Sequence, residues 1–266
     1  MSNDPSVRVE LDQGIATISL QRPHALNALD YATLEALRFS IEQAVAAPGV
    51  RVIVLRGEGR SFCGGGDVTA MHAHEDDLPV FIGRMIDSFH ASVMALSRAE
   101  VPVIASVQGA VAGGGISLAL ACDLVLAARG TRFVTAYAQL GASSDGGLSF
   151  RLTQRLGAAR AFELLTLHGM LTAEQAHELG LINRVVDAES ADAEALDWAR
   201  KLAALAPQAV AEFKRLTVLQ GFDALQAQLG HEKAAFIRCA ETEDFRRRVA
   251  AFVWRGQAGE HQGGKA

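Results

Sequence analysis

No apolar run in this chain approaches the length needed to cross a bilayer. The polar N-terminus carries no charged-then-apolar leader, so a cytoplasmic location is expected. Cysteine is scarce. Cys63, Cys122 and Cys239 are odd in number and far apart, which excludes a disulfide framework and a CxxC site and fits a reducing compartment. A basic stripe is also missing. With a net charge of −5 and a pI near 5.9, the chain offers little to neutralise nucleic-acid phosphates, and no nucleic-acid partner is expected. The preference for arginine over lysine reads as compositional bias. Neither a G-x-G-x-x-G fingerprint nor a G-x-x-x-x-G-K-[ST] loop occurs. No G-x-S-x-G elbow occurs either, which argues against a serine hydrolase.

What is present is length, hydrophobicity and glycine. The chain has 266 residues and is 50% hydrophobic, enough to bury a large core in one domain with or without an appendage. It is organised around V-Q-G-A-V-A-G-G-G-I-S-L-A-L-A-C-D at 107–123. A β-type run at 101–107 leads to Gly113-Gly114-Gly115, and a helix-like run at 116–122 follows. Such a join presents bare backbone N–H groups with the positive end of a helix dipole, so it suits a phosphate or a developing oxyanion. A second glycine-rich loop lies at 57–67. Two loops of this kind suit an oxyanion hole with two donors. Glycines that only make tight turns are the alternative.

The remaining pattern alternates strands and helices. A hairpin is expected from Val7–Asp12 and Ile15–Leu20 across Gln13-Gly14, then a helix at Tyr31–Ala46 capped by Asp30. Further strands are expected at 50–56, 124–127, 133–134 and 183–186. Helices are expected at 81–97, 149–156, 158–166 and 173–179, the last capped by Thr172. Two successive strand, glycine-loop and helix units suggest a repeating ββα superhelix rather than a Rossmann sheet. Helices at 192–206, 207–220, 224–238 and 242–254 carry apolar stripes that need burial on the core or on another subunit. The organisation expected is a core at 1–190, a helical region at 191–255 and a polar, frayed tail at 256–266. His72, His74, Glu75, Asp76 and Asp77 have the look of metal ligands, but no further ligands stand at suitable spacing. A solvated, mobile loop is the reading adopted for them, and no metal is expected.

Five ordered blocks carry a family resemblance. They are Arg22-Pro23-x-x-Leu26-Asn27-Ala28-Leu29, Ser61-Phe62-Cys63-Gly64-Gly65-Gly66-Asp67, the run from Pro102 to Gly115, Cys122-Asp123, and Ala173-Glu174-Gln175-Ala176-x-x-Leu179-Gly180-Leu181-Ile182. Together they resemble the enoyl-CoA hydratase/isomerase (crotonase) family. The resemblance implies an α/β fold, a crotonase-like ββα superhelix with a C-terminal helical trimerisation region, assembled as a homotrimer or a dimer of trimers. It implies an acyl-CoA thioester as ligand, with coenzyme A part of the substrate and no further cofactor. The thioester oxygen would sit between the N–H groups of Gly66 and Gly114. Gly64, Gly65, Gly66, Asp67 and Val68 would line the coenzyme A site, with Arg22, Ala25 and Leu26 near the pantetheine and phosphates. Arg22 as a plain surface charge is the alternative.

The resemblance does not extend to the hydratase acid–base pair. The two glutamates of similar hydratases correspond to Ser117 and Tyr137 here, and neither is a carboxylate. Splitting water across a double bond uses two placed carboxylates. One carboxylate remains, at Asp145. Taken alone it reads as a helix N-cap before Gly146-Gly147. In the family it matches the single carboxylate of isomerases, including the ring-opening isomerases of phenylacetate breakdown, and suits a 1,3-proton shift. Apolar neighbours Leu140, Leu148 and Phe150 would raise its pKa. Aryl-CoA dehalogenases of the superfamily use the same position as a nucleophile, with a Trp where this chain has Tyr137 and a His matching His90. His90 as an ordinary helix residue is the alternative. A member that binds acyl-CoA without chemistry is the reading from another class.

Overall fold

The computed structural model describes residues 5–217 and 221–263. Its centre is a six-stranded sheet built from β1 (Val7–Asp12), β2 (Ile15–Leu20), β3 (Val52–Gly57), β4 (Val103–Val107), β6 (Leu124–Ala128) and β9 (Arg184–Val186), in that order. β1 and β2 form the antiparallel hairpin, and every later neighbour is parallel. A smaller sheet holds β5 (Ala110–Ala112), β7 (Arg132–Val134) and β8 (Met170–Thr172).

The four inner strands of the large sheet, β2, β3, β4 and β6, are buried on both faces. In β3, Ile53 and Leu55 enter the main core, while Val52 and Val54 face a second cluster closed by Ala191, Ala195 and Ala199. This is the period-two pattern of a parallel strand covered on both sides. The three alanines lie on α9 (Ala191–Ala203). On the main face, α1 (Tyr31–Ala46) packs on α3 (Leu78–Arg98), and Leu34, Leu37 and Ile41 are buried between sheet and helix. Asp30 Oδ1 accepts from the Thr33 N–H at 2.7 Å, the expected cap.

Each pass of the chain puts one strand in the large sheet and a short extended piece in a second layer. β3 continues to Cys63, β4 to β5 and β6 to β7. The second-layer pieces stack in parallel, with Cys63 bridged to Val111 and Val111 to Phe133. Leu29 is bridged to Gly66 in the same layer. The fold is thus the crotonase-like ββα spiral.

Some boundaries differ from expectation. The strand that runs into Gly113 is β5, not the 101–107 run, because Gly109 turns the chain from the large sheet into the second layer at φ +61°. α2 (Val68–His72) occupies the start of the stretch expected as a loop, with Asp67 Oδ1 accepting from the Thr69 and Ala70 N–H groups. His74 stacks on Phe81 with ring centroids 3.7 Å apart, and among the described residues no cluster could hold a metal. Past α4 (Gly114–Ala121), the chain forms α5 (Tyr137–Leu140), α6 (Leu148–Leu156), α7 (Ala158–Glu163) and a π-helical turn at Leu164–His168. α8 (Ala173–Glu178) opens with a capping box between Thr172 and Gln175.

The C-terminal helices are α10 (Pro207–Thr217), α11 (Phe222–Ala240) and α12 (Glu243–Gly263). Residues 218–220, included in the expected third-from-last helix, lie outside the described residues. α11 packs on α3, while α12 packs on α2 and α5, so these stripes close the core of their own chain. α12 continues into the stretch expected as a tail, of which 264–266 lie outside the described residues. Among the described residues no helix is long and apolar enough to cross a membrane.

Candidate active site

The second layer brings the two glycine loops together. Cys63 N–H donates to Ala110 O at 3.3 Å, and Ala112 N–H donates to Cys63 O at 2.9 Å. These bonds lay the 63–66 loop beside the 110–114 loop. The approach leaves no room for a side chain at Gly65, where a Cβ would stand 2.7 Å from Ala112 O and φ is +91°. Gly113 N–H is spent on Val134 O. Gly66 N–H and Gly114 N–H donate to no protein group among the described residues. Gly114 is the first residue of α4, so its N–H is one of the donors a helix leaves unpaired.

Both glycines line a cavity of about 380 Å³. Gly64, Gly65, Val68, Tyr137 and Asp145 line it too, and α12 contributes Arg248, Phe252 and Arg255. A smaller inner chamber of about 30 Å³ shares Gly66, Met71, Gly114, Asp145 and Phe236 with it. The rest of the inner wall is Leu29, Leu34, Ile82, Met85, Ile86 and Phe89. Asp145 is the one carboxylate that lines either chamber among the described residues.

Asp145 sits in a loop, and its side chain caps no helix. α6 starts after Gly147 with no side-chain cap from its own chain neighbours, which removes the capping reading. Tyr137 Oη donates to Asp145 Oδ1 at 2.6 Å. Ser117 Oγ donates to Asp145 O at 2.8 Å and lies 3.2 Å from Tyr137 Oη. Burial pushes the Asp145 pKa up to about 7; the Tyr137 hydrogen bond opposes this and the nearby Glu232 charge adds to it. Tyr137 itself is held well above 10 by burial and by the Asp145 charge, so its phenol stays neutral. The arrangement provides two N–H donors and one proton-exchanging carboxyl facing a common space.

Other sequence-derived candidates fall outside the cavity wall. Arg22 is ion-paired with Asp30 at 3.2 Å and Asp67 at 3.0 Å and donates to Ala28 O. Its charge is spent tying the 22–30 segment to the 63–67 loop. Asp67 is spent the same way and on capping α2. Ala25 and Leu26 form part of that segment, where Leu26 O accepts from Gly64 N–H at 2.8 Å. Ser117 is fully buried behind Tyr137. His90 Nε2 accepts from Gly146 N–H at 3.2 Å, so its proton is on Nδ1. Burial drives the His90 pKa down to about 4, and the ring is neutral. His90 therefore braces the Asp145 loop and does not line either chamber.

Sequence reasoning missed Arg248, Arg255, Met71 and above all Glu232, which is 4% exposed. One signal was available. Glu232 falls within the stripe Leu225, Leu229 and Phe236, where a carboxylate on a buried helix face needs partners.

A spiral α/β core whose two glycine loops meet opposite a buried carboxyl defines an enzyme frame of the crotonase type. Residues 10–261 match the model of the enoyl-CoA hydratase/isomerase family, and the chain belongs to that family. It is 33% identical over 244 residues to 1,2-epoxyphenylacetyl-CoA isomerase of Escherichia coli (strain K12), covering 91% of this chain and 93% of the relative. It is 32% identical over 245 residues to 2,3-dehydroadipyl-CoA hydratase of the same organism, covering 92% and 94%. The crystal structure of an enoyl-CoA hydratase/isomerase from Mycobacterium paratuberculosis superposes with a TM-score of 0.87 at 28% identity, covering 93% of this chain and 98% of that one. The family acts on acyl-CoA thioesters.

Proposed function

We propose that the protein is an enoyl-CoA isomerase that moves a carbon–carbon double bond by a proton shuttle through Asp145. The observation that carries this reading is that Asp145 is the one carboxyl on the cavity wall among the described residues. Asp145, ionised, takes a proton from C2 of a 3-enoyl thioester. The electron pair delocalises onto the thioester oxygen, which Gly66 and Gly114 meet with N–H donors. The same carboxyl returns the proton to C4, leaving the double bond between C2 and C3. No atom is gained or lost, and no cofactor is required beyond the coenzyme A of the substrate. Ring opening of an epoxy-acyl thioester uses the same enolate.

A pKa near 7 suits a group that must both take and give a proton at neutral pH. Tyr137 engages one carboxyl oxygen and leaves the other for the substrate. The inner chamber, walled by hydrocarbon and thioether side chains, suits the acyl end. The wider chamber suits pantetheine, and Arg255 puts positive charge on its wall for the phosphates, whereas Arg248 on the same wall is ion-paired with Asp244 at 2.6 Å. Exposed apolar side chains at Phe162, Met170 and Phe213 support assembly into a homotrimer or dimer of trimers.

A panel of 3-enoyl-, 2-enoyl- and epoxy-acyl-CoA thioesters followed by mass spectrometry tests the reading. Isomerisation gives no mass change, and Asp145→Asn abolishes it. Gain of one water by 2-enoyl-CoA, unaffected by Asp145→Asn, overturns it.

A further inference from the structure

Glu232 stands 87 positions after Asp145 in the numbering, yet its carboxylate is built into the loop that carries Asp145. Its Oε2 accepts from Gly147 N–H at 2.7 Å. Its Oε1 accepts from Ser149 N–H at 3.0 Å, from Ser149 Oγ at 2.5 Å and, at 3.4 Å, from Ser144 Oγ. Gln228, one turn earlier on α11, donates to Ser149 Oγ at 3.0 Å and so directs that hydroxyl's proton toward Glu232. Gly147 and Ser149 lie at the start of α6, whose first N–H groups have no partner within the helix. A negative charge is favoured at that end. α6 thus receives its cap from a different helix.

The Asp145 loop is held on three sides. Glu232 fixes its end at Gly147, His90 accepts from Gly146 N–H, and Ser117 donates to Asp145 O. Gly146 has φ +63°, and a Cβ there would overlap Phe89 and stand 2.7 Å from Ser117 Cβ. The loop has little freedom to turn its carboxyl away from the cavity.

We infer that Glu232 is a positioning residue for Asp145: it caps α6 across the fold, fixes the loop that aims the carboxyl into the cavity, and keeps a second negative charge beside it. That charge favours the protonated form of Asp145 and supplements the effect of burial. Tyr137 from α5 acts in the opposite sense by donating to Oδ1. The other groups around the pair are neutral His90 from α3, Arg151 from α6, and Arg248 and Arg255 of the cavity wall from α12. Burial lowers the Arg151 pKa to about 10, so Arg151 remains charged at neutral pH. Its charge is present in both states of Asp145 and does not replace that of Glu232.

The inference rests on Asp145 being the proton-transfer group, so the test reads its carboxyl directly in the ligand-free full chain. Infrared difference spectra against Asp145→Asn give the midpoint of the Asp145 carboxyl in wild type and in Glu232→Gln. The midpoint is expected to fall by about one unit or more in Glu232→Gln. The acid limb of kcat on a 3-enoyl-CoA should move down with it, while kcat at its optimum drops about tenfold and KM changes much less. Glu232→Asp and Ser149→Ala keep the charge and disturb only the grip. They should lower kcat with the midpoint nearly unmoved, and they decide the positioning role if Glu232→Gln does not fold. A midpoint that stays or rises in Glu232→Gln overturns the inference. So does full kcat in both charge-preserving variants. A midpoint that falls while the kcat limb stays in place supports the coupling and removes Asp145 from the proposed chemistry.

Discussion

Tyr137 Oη donates a 2.6 Å hydrogen bond to Asp145 Oδ1 at the wall of the cavity. The two residues lie eight positions apart, on α5 and on the loop before α6. Burial favours a neutral carboxyl here, and the phenol favours an ionised one. Their balance leaves a group able to change charge near neutral pH.

Removing that donor should shift the balance upward. Tyr137→Phe keeps the ring and its edge-on contact with Phe236, whose centroid is 6.5 Å away. The Tyr137 bond lowers the Asp145 pKa, so its loss raises it. The acid limb of the kcat profile should move to higher pH, opposite in sign to Glu232→Gln. Stopped-flow or steady-state rates between pH 5 and 9, a range spanning roughly two units on each side of the carboxyl, check this.

Asp145→Asn should stabilise the fold at high pH. The folded pKa of Asp145, about 7, lies above that of an unfolded aspartate, about 3.9. Between these values the native state holds a proton that the unfolded state has lost. Wild-type stability therefore falls as pH rises through this window, by at most about 1.4 kcal/mol per pH unit from this group. The variant lacks that slope. Its urea midpoint should exceed that of wild type at pH 8, with the gap closing toward pH 4. An equal gap at both ends contradicts the raised pKa.

Gly114→Pro deletes one oxyanion donor at a helix position where proline is tolerated. A Cβ there meets nothing closer than Phe89, at 3.6 Å. With far-ultraviolet circular dichroism unchanged, kcat should drop about 10²–10³-fold, the usual effect of removing one such donor. Retained kcat in a folded variant removes Gly114 from the oxyanion hole.

The inner chamber, about 30 Å³, has room for only about two or three water-sized groups. Short acyl chains should give the highest kcat/KM. Met71 and Met85 are unbranched and lie on its wall, so Met85→Ala should move the optimum to longer chains by about one to three carbons. A chain-length series of 3-enoyl-CoA thioesters reads this directly. An unmoved optimum places the acyl end elsewhere.

Much of the frame was legible in local pattern. The hairpin of β1 and β2, the Asp30 cap of α1 and the Thr172 cap of α8 depend on neighbours close in sequence, and each agrees with the structure. The glycine loops and Asp145 were visible through their residue types and through the family resemblance. β5 was not visible, because three residues carry no period and pair only with strands remote in sequence. The family resemblance placed Arg22 and Asp67 near coenzyme A. In the fold they face each other and neutralise one another.

The sequence by itself determined the alternating strands and helices, the two glycine-rich loops and the presence of an aspartate at position 145. These follow from backbone preference and hydrophobic period, which act over a few residues. Only the tertiary structure decided that Asp145 aims into the cavity instead of capping α6. It also decided that His90 and Arg22 serve as braces and that Glu232 reaches across from α11 to hold the loop. The physical reason is that burial, charge and hydrogen-bond partnership belong to pairs of groups, and these pairs form only when distant segments pack.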